Sequence, residues 1–502
     1  MERHRRKCGP ATRRAVRISH GSERHGRGGA EIVTWKVDPT SYDEKLRHAL
    51  LYHEAGKVTK SLGLIFEAHL PGAAVGSLCR ISPSSDSQAE FGVDAEVIGF
   101  RDKRVLLMPF EDAAGINNDS LVVLKKRNSA VPVGDFLLGR VIDGRGQPLD
   151  GKGPLNPTGH WKEERPLYNV PSHPLEREMI TEPLDLGIRS VNGLLTTGKG
   201  QRVGIMAGSG VGKSVLLGMM ARHTAADINV IALIGERGRE VREFIERDLG
   251  PEAMARTVVV VSTSDKSPLL RMRGAFLAMT IAEYFRDQSK DVLMLMDSVT
   301  RFAMAQREIG LAMGEPPASK GYTPSVFSTL PKLLERAGMA PKKGSITGLF
   351  TVLVEGDDMD DPIADAVRSI LDGHIVLSRK IAQRNHFPAV DVLQSASRVM
   401  RSVIDKDHLK WSSMIREWLA AYAQAEDLIN VGAYVRGSNL KIDQAIFGIE
   451  RINAFLRQEI TETASYSDTL AAMHGIVRSI EAATAAQQAQ QQTQQGPQAL
   501  RI

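Results

Sequence analysis

The sequence predicts an α/β fold in which a parallel sheet covered by helices follows a small N-terminal β-barrel and precedes a C-terminal helical domain. Three observations lead to this prediction. Apolar strands alternate with amphipathic helical stretches from about residue 180 to residue 400, as in a parallel sheet with helices on its faces. Short β-rich runs separated by Gly, Pro and Ser occupy residues 56–124, as in a barrel. Helical periodicity prevails beyond Arg401.

Changes in composition divide the 502 residues into six segments. A Pro- and Gly-rich stretch marks a connector between the barrel and the sheet domain. The Ala/Gln-rich run near the C-terminus has too few large apolar residues to build a core, so we expect it to be frayed or disordered. The predicted segments are a basic tail (1–30), an amphipathic helix with the barrel (31–135), the connector (136–178), the sheet domain (179–400), the helical domain (401–481) and the Ala/Gln-rich tail (482–502).

The net charge of +5 arises from the first 30 residues rather than from a folded surface. These residues contain eight Arg and one Lys against Glu2 and Glu23, a balance of +7, which leaves −2 for the rest of the chain. That balance argues against nucleic-acid binding by the folded part. We expect the tail to be a disordered arm. A contact with an anionic membrane and translation from upstream of the true start codon are the alternatives, and the tail lacks the apolar stretch of a secretory signal.

A short amphipathic helix is predicted at residues 41–54. Ser41 and Glu44 have the spacing of a capping box, and Tyr42, Leu46 and Leu50 follow at helical intervals. The apolar face of this helix either packs on the next domain or binds a partner.

The number of cysteines and the lengths of the apolar stretches indicate the compartment in which we expect the chain. The two cysteines, Cys8 and Cys79, cannot build a disulfide framework, and neither is surrounded by a zinc-type cluster. The most apolar stretches, such as residues 257–262 and 291–297, have the length of strands, whereas a membrane helix needs about 20 residues. We therefore expect a protein of a reducing cytosol that does not span a membrane.

A phosphate-binding loop (P-loop) stands between a predicted strand at 202–206 and a predicted helix that begins at Val215. Its glycines let backbone N–H groups face phosphate oxygens at a positive helix end. Lys213 is expected to reach the β and γ phosphates and Ser214 to ligate Mg²⁺. The sheet domain is thus predicted to be a P-loop NTPase core. The predicted nucleotide-binding residues are Gly208, Ser209, Gly210, Val211, Gly212, Lys213, Ser214 and Val215.

Acidic residues follow two further predicted strands, at 228–234 and 292–296. Because the carboxyl ends of parallel strands meet at one edge of a sheet, Glu236 and Asp297 are expected to face the same crevice as the loop. Asp297 suits the carboxylate that holds the magnesium shell. Glu236 suits the group that orients and polarises the attacking water, since phosphoryl transfer needs a positioned nucleophile. Spacing alone gives Arg398, about 185 residues beyond the loop, no role other than that of a surface residue.

Four segments of the chain together resemble the hexameric ATPase family that includes the catalytic subunits of rotary ATP synthases. Within that family, three further stretches are similar to the ATPases of flagellar (type III) protein export, and the resemblance covers about residues 57–480. The four segments are 207–214, 234–240, 296–301 and 388–398, and the three stretches are 106–112, 207–220 and 370–379.

This resemblance implies roles for individual residues. Lys213 and Ser214 would bind the nucleotide and magnesium, Glu236 would be the catalytic carboxylate, and Asp297 the acid of the second strand. Arg398 would be an arginine finger that acts on the neighbouring subunit's nucleotide. Arg237 would either contact the γ-phosphate or only brace the sheet. Because one chain then carries both halves of an active site, a homohexamer is implied.

The resemblance also implies partners and a location. ATP hydrolysis around the ring would energise flagellar protein export at the inner face of the cell membrane, from the cytoplasm. Expected partners are export substrates and their chaperones, a regulatory peripheral-stalk protein, a central-stalk protein and the export gate, with no nucleic acid. The residues just before Asp357 and Asp358 are Leu-Val-Glu-Gly at 353–356, whereas the rotary catalytic subunits have an aromatic residue at that place that packs on adenine.

Four other functions are alternatives to flagellar export. The chain could energise an injectisome secretion system or serve as a catalytic subunit of a rotary proton-translocating ATPase. An RNA-translocating hexamer fits less well, because 5% aromatic residues offer little for base stacking. A non-catalytic subunit fits less well because related non-catalytic subunits typically lack a carboxylate equivalent to Glu236.

Overall fold

The computed structural model describes residues 54–83, 92–156, 163–341, 344–354, 356 and 358–494. The predicted basic tail at 1–30 and all but the last residue of the predicted helix at 41–54 lie outside these residues. None of the helices in the described part is both long and apolar enough to cross a membrane.

A closed six-stranded barrel begins the described structure. Its strands are β1 (Ala55–Leu62), β2 (Ile65–His69), β3 (Leu78–Ser82), β4 (Val93–Arg101), β5 (Arg104–Pro109) and β6 (Leu121–Lys126). They pair in the order β1-β2-β5-β4-β3-β6, and every pair is antiparallel. Side chains alternate along β5, as the pleat of a strand requires. Val105 and Leu107 lie in the barrel core, whereas Leu106 and Met108 pack against Leu269 and Leu270 of the following domain.

A largely parallel sheet forms the second domain. Its strands are β8 (Val141–Asp143), β10 (Arg202–Ala207), β11 (Ile228–Ile234), β12 (Thr257–Ser262), β13 (Asp291–Asp297), β14 (Gly338–Met339), β15 (Ser345–Leu353), β16 (Gly373–Leu377) and β17 (Val390–Ser397). The order is β17-β16-β10-β15-β13-β11-β12-β8, with β14 on β15. Only β17 and β14 run antiparallel to their neighbours in this sheet. A separate ribbon pairs β7 (Ala130–Pro132) with β9 (Glu164–Pro166).

Helices cover both faces of the sheet. Because both faces are covered, every residue of β11 and β12 is buried, and these strands are apolar almost throughout. The helices are α1 (Arg189–Leu194), α2 (Lys213–His223), α3 (Gly238–Glu243), α4 (Gly250–Ala255), α5 (Pro268–Asp287), α6 (Val299–Met313), α7 (Pro324–Leu334), α8 (Pro362–Ile370) and α9 (Arg379–Gln383), with a π-helical turn at Phe244–Leu249. One core contains residues of α5 to α8, and the other contains residues of α1, α2 and the C-terminal helices.

The C-terminal helices are α10 (Met400–Val403), α11 (Lys406–Asn430), α12 (Leu440–Leu456) and α13 (Tyr466–Gln494). Hydrogen bonds join them to the start of the sheet domain. Arg189 donates from its backbone to Oε1 of Gln458 at 3.0 Å, and Gln458 donates in turn to the carbonyl of Gly187 at 2.7 Å.

Two parts of the chain differ from what the sequence predicts. The segment predicted as a connector contains β8, which pairs with β12 at the edge of the sheet. The sequence does not reveal this strand, because three residues are too few to show a periodic hydrophobic pattern. The Ala/Gln run from residue 482, expected to be frayed or disordered, continues α13 as far as Gln494. Ala and Gln are strong helix formers, so a helix that is packed at its beginning extends into this run without a core of its own.

Candidate nucleotide site

The loop between β10 and α2 has the backbone that phosphate binding requires. Gly210 and Gly212 have φ values of 78° and 85°, in the left-handed region that glycine enters without steric cost. Gly212 is the N-cap of α2 and offers no side chain to the first N–H groups of the helix. Those donors therefore remain available for an anion at the positive end of the helix dipole.

Lys213, the first residue of α2, lies between two carboxylates. Its Nζ is 2.5 Å from Oδ1 of Asp297 and 3.6 Å from Oε1 of Glu236. All three side chains are largely buried, with exposed fractions of 12%, 6% and 16% for Lys213, Asp297 and Glu236. The cluster therefore places two carboxyl groups around one ammonium in a crevice with little water.

Strand register explains why these residues meet. Leu233 of β11 pairs with Asp297, the last residue of β13, so Glu236 emerges just beyond it at the same edge of the sheet. Thr351 of β15 donates a hydrogen bond to Oδ1 of Asp297 at 2.7 Å. The carboxyl ends of three neighbouring strands thus deliver the cluster to the crevice beside the P-loop.

The cluster shifts the titration of its members. Burial raises the pKa of the Glu236 carboxyl to about 7, and the charge of Asp297 acts in the same direction while Lys213 opposes it. Burial lowers the pKa of the Lys213 ammonium, but Asp297 and Glu236 outweigh burial, so the net shift is upward. Lys213 is therefore charged at neutral pH, whereas Glu236 exchanges its proton close to neutrality.

Magnesium fits the donors at this edge. Ser214, the second residue of α2, is half-buried, and a serine hydroxyl with a carboxylate such as Asp297 is the hard oxygen set that Mg²⁺ takes beside substrate phosphates. Within the described ranges, no group of three or more His, Cys, Asp or Glu side chains could hold a metal by itself. Phosphate oxygens and water would complete the shell.

Arg237 lies outside the cluster. Its side chain is 82% exposed and pairs with Glu240, Nη1 to Oε1, at 3.5 Å. No contact with Lys213 or Asp297 is found for it among the described residues. In this conformation it faces solvent.

Arg301 belongs to the site although sequence reasoning gave it no role. A Cβ atom on Gly235 would lie 2.6 Å from Cβ of Arg301, so the arginine stem packs on the backbone beside Glu236. Its Nε is buried and has no hydrogen-bond partner in the part of the chain that the structure describes. Its Nη1 donates to Sδ of Met304 at 3.7 Å, so the guanidinium lies along its own helix, α6. The sequence did contain a signal for Arg301, because it is the last residue of segment 296–301, one of the four that resemble the ATPase family.

Phe387 is the second residue that the sequence analysis missed. Its side chain is 42% exposed, and its ring lies 3.6 Å from where a Cβ on Gly212 would stand. An exposed aromatic face beside a phosphate loop is suited to stack on a nucleotide base. The sequence analysis looked for an aromatic residue that packs on the base just before Asp357. Phe387 instead directly precedes Pro388, the first residue of the resembling segment 388–398.

Arg398 lies at the other end of the sheet. It follows β17, which runs antiparallel to β16, while β16 is parallel to β10. Its backbone N–H donates to the carbonyl of Asp372, whose own N–H donates to the carbonyl of Arg202, the first residue of β10. The P-loop follows the last residue of β10, five residues or about 16 Å further along. The exposed Arg398 guanidinium contacts only the carbonyls of Leu371 and Arg368, each at 3.3 Å, among the described residues.

Comparison with known proteins identifies the family. The model for the ATP synthase alpha/beta family, nucleotide-binding domain, matches residues 187–397, and that for the T3SS EscN ATPase C-terminal domain matches residues 404–475. The flagellum-specific ATP synthase of Bacillus subtilis is 52% identical over 84% of this chain and 95% of its own length. The chain belongs to this family of flagellum-specific and type III secretion ATPases. The prediction of an ATP-hydrolysing enzyme of type III protein export is thereby confirmed.

Other members of the family are equally similar. The type 3 secretion system ATPase of Sinorhizobium fredii is 50% identical over 83% of this chain and 90% of its own. The assembled ATPase EscN from enteropathogenic Escherichia coli has a TM-score of 0.79 and 48% identity, over 84% of this chain and 100% of that one. A second structure of EscN, in complex with its central stalk EscO, has a TM-score of 0.77. The predicted fold class, a P-loop α/β core between a β-barrel and a helical domain, is confirmed.

Proposed function

We propose that this chain forms a homohexameric, magnesium-dependent ATPase that energises flagellar protein export at the cytoplasmic face of the cell membrane. One observation carries the proposal. Lys213 joins Glu236 and Asp297 at the P-loop, while Arg398 lies at the opposite end of the same sheet. The two halves of an active site are therefore present in one chain but cannot meet within it.

The chain's own groups account for the chemistry. The loop N–H groups and Lys213 bind the phosphates, so that the ammonium exchanges its carboxylate partners for phosphate oxygens. Magnesium, held by Ser214 and Asp297, would neutralise charge that develops on the phosphates. Glu236, released from Lys213, accepts a hydrogen bond from the attacking water and orients it. Arg301 braces the backbone at Gly235, which directly precedes Glu236, and Phe387 supports the base.

Arg398 completes the site of a neighbouring subunit. An exposed guanidinium whose contacts are two backbone carbonyls has no carboxylate partner to give up, so it is free to face a neighbour's γ-phosphate. Such a finger stabilises the charge of the transition state and contributes about 10³ or more to turnover. Arg237, equally exposed, is a second candidate for this interface or for the γ-phosphate.

A mixing experiment tests the assembly of the site. Arg398→Ala and Lys213→Ala are each expected to lose turnover, by about 10³ for the arginine. In a mixed ring, some interfaces pair an intact Lys213 with an intact Arg398, so ATPase activity should return on mixing. Lys103→Ala, a substitution of an exposed barrel lysine, serves as the control that stays active alone.

The result that would contradict this model is also defined. Native mass spectrometry must show that mixed oligomers form. If they form and no activity returns, Arg398 does not act across the interface. If Arg398→Ala alone remains fully active, it is a surface residue.

An injectisome role is the second candidate, because secretion-system relatives are 50% and 48% identical to this chain, close to the 52% of a flagellar relative. Flagellar export is favoured by the similarity of residues 106–112, 207–220 and 370–379 to flagellar export ATPases. Disruption of the gene in its own organism should abolish swimming and filament assembly, and the intact gene should restore both. Normal filaments in the disrupted strain, with loss of a contact-dependent secretion activity, would assign the injectisome instead.

Partners follow the same proposal. EscN has been solved with its central stalk EscO, and we extend a stalk partner to this chain. Val431 and Val435, in the turn between α11 and α12, are 75% and 71% exposed and offer apolar contacts for it. Export substrates, their chaperones, a peripheral-stalk protein and the export gate complete the proposed set.

A further inference from the structure

A cavity of about 630 Å³ lies between the barrel and the sheet domain, away from the nucleotide site. Strands β3, β4 and β6 of the barrel line one side. The other side is formed by the turn after β8 and by α5. Its lining residues are Leu78, Cys79, Asp94, Phe110, Lys125, Lys126, Arg145, Gln147 and Arg273. Four lining residues carry a positive charge and one carries a negative charge, which sets this cavity apart from an ordinary domain junction.

Arg273, on α5, is the most buried of these cations, with 3% of its side chain exposed. Its Nη1 donates to Oε2 of Glu96 at 2.6 Å and to Oγ of Ser129 at 3.0 Å. One face of the guanidinium lies 5.6 Å from the centre of the Phe110 ring. Its Nε is buried and has no acceptor within the described residues. An unpaired buried donor of this kind is destabilising, so an acceptor in the cavity would be stabilising.

Arg145 presents a second donor of the same kind. Its Nη2 pairs with Oε1 of Glu111 at 3.1 Å, while its Nε is buried without a hydrogen bond to any described residue and lies 3.6 Å from Asp143. Lys126 pairs with Glu164 at 3.1 Å. The carboxylates of Glu111, Asp143 and Glu164 do not line the cavity, so they hold these cations from the side.

Asp94 is the one carboxylate that lines the cavity. It pairs with Lys125 at 3.3 Å and with Arg80 at 3.4 Å. Its charge is thus shared between two cations. It forms no hydrogen bond with Nε of Arg273 or with Nε of Arg145.

We propose that this cavity is a binding site for a compact oxyanion of the phosphate class, held by Nε of Arg273 and of Arg145 and by the ammonium of Lys125. Guanidinium groups match tetrahedral oxyanions because their N–H donors are fixed in a plane. The volume exceeds that of a single phosphate ion, so a phosphate group on a small organic molecule also fits. Occupancy would join the barrel to the sheet domain through a shared anion.

Isothermal titration of the full-length chain with inorganic phosphate tests this site. The nucleotide site is first filled with Mg²⁺, ADP and beryllium fluoride, so that phosphate cannot enter the P-loop. One phosphate is expected to bind per chain. Arg145→Gln and Lys125→Gln are each expected to weaken binding by about tenfold or more, the scale of one charge-assisted hydrogen bond, and to leave basal ATPase turnover unchanged.

Matched variants separate this site from general charge effects. Arg239→Gln removes an exposed arginine outside the cavity and should not change the affinity. Arg273→Gln is made together with Glu96→Gln, so that no buried carboxylate loses its cation, and the pair should abolish binding. Malonate in place of phosphate distinguishes the phosphate class from carboxylates and is expected to bind at least tenfold more weakly.

Three outcomes would overturn the proposal. One is equal affinity in Arg145→Gln, Lys125→Gln and Arg239→Gln. Another is binding that disappears once beryllium fluoride occupies the nucleotide site, which would place the phosphate at the P-loop. The third is the absence of phosphate binding to the unmodified chain.

Discussion

Lys213 contacts carboxylates that belong to two different strands, and one of them, Glu236, has a pKa of about 7. A lysine that already holds the two acidic groups of the site couples them to the P-loop. When phosphate competes for the ammonium, both carboxylates lose a partner at once. In the proposed mechanism, Glu236 is then free to accept a hydrogen bond from the attacking water.

Glu236→Gln should bind nucleotide nearly normally and lose turnover by about 10² or more, the scale of general-base contributions. The amide keeps the size of the side chain but cannot accept a proton. Steady-state ATPase rates and fluorescent-nucleotide titration measure the two effects separately. Glu243→Gln, which removes an exposed carboxylate of α3 that pairs with Arg239, is the control and should remain active. Wild-type hydrolysis in Glu236→Gln would remove it from the mechanism.

The pH dependence of kcat/KM follows from the same residue. A general base acts as the carboxylate, and the pKa of Glu236 in the free enzyme is about 7. Activity should therefore fall about tenfold for each pH unit below 7 and level off above it. A pH–rate profile of the free enzyme between pH 5.5 and 8.5 measures this dependence. A profile that is flat through pH 6 would show that the proton-accepting group is another one.

Phe387→Ala should raise the KM for ATP, because stacking of a base on an aromatic ring contributes about 1–3 kcal/mol. Turnover at saturating ATP should change little, since the ring does not touch the reacting phosphate. Phe387→Tyr should retain the wild-type KM. Phe447→Ala removes a similarly exposed ring from α12 and is the matched control. An unchanged KM in Phe387→Ala would show that the base binds elsewhere.

The sequence predicts those site residues whose position follows from the strand or helix next to them. Lys213 and Ser214 begin a helix after a glycine loop, and Glu236 and Asp297 follow apolar strands, so their convergence requires only a parallel sheet. Arg301 and Phe387 depend on other contacts. Arg301 packs on the backbone of Gly235, which has no side chain in the way of its stem, and Phe387 reaches Gly212 from a turn 175 residues away in sequence. Neither packing contact is visible in a local pattern.

At the scale of elements, α11 is attached to the sheet domain through a buried histidine. His408 is fully buried, with Nε2 2.7 Å from the carbonyl of Gly193 in α1 and Nδ1 3.0 Å from the hydroxyl of Tyr466 in α13. Asp405 caps the same helix end by accepting from the backbone N–H of His408 at 2.7 Å. Three helices therefore meet at one imidazole.

This junction should weaken in mild acid. Burial lowers the pKa of His408 below its usual 6.5, although the Gly193 carbonyl acts in the opposite direction. The unfolded chain then binds more protons than the folded chain below pH 6.5, so stability is lost as pH falls through that value toward the folded pKa. Denaturant midpoints at pH 7.5 and 5.5 measure the loss. His408→Gln should show a smaller difference between the two pH values, whereas Tyr466→Phe keeps it. An equal difference in His408→Gln and the wild type would assign the acid sensitivity to other groups.

Elements differ in how well the sequence predicts them. The strands of the barrel and sheet are predicted because their apolar runs end near glycine or proline, as at Pro71 and Gly72 after β2 and at Gly235 after β11. The reversal of β17 is not predicted, since an edge strand that pairs antiparallel has the same local pattern as a parallel one. The helical end of α13 is missed for a different reason. Composition indicates whether a segment can bury a core, not whether a neighbouring helix can extend through it.

For the whole molecule, the separation of the P-loop from Arg398 predicts that activity depends on assembly. Specific activity should rise with protein concentration as rings form, because each new interface completes a site. ATPase assays and mass photometry over the same dilution series measure activity and oligomer size together. Arg398→Ala should remain slow at every concentration. Constant specific activity across the range in which the oligomer dissociates would show that a single chain is sufficient.

The antiparallel course of β17 has a consequence for how the chain can vary. Its eight residues cover about 24 Å. In the proposed ring, they set the distance within one subunit between its P-loop crevice and the Arg398 that it presents to a neighbour. An inserted pair of residues would preserve which side chains face inward, and it would leave every residue of the P-loop untouched. It would nevertheless displace Arg398 by about 7 Å, more than a guanidinium can recover. Under the proposed role of Arg398 at the neighbouring site, the length of this edge strand is therefore fixed by a contact with another subunit.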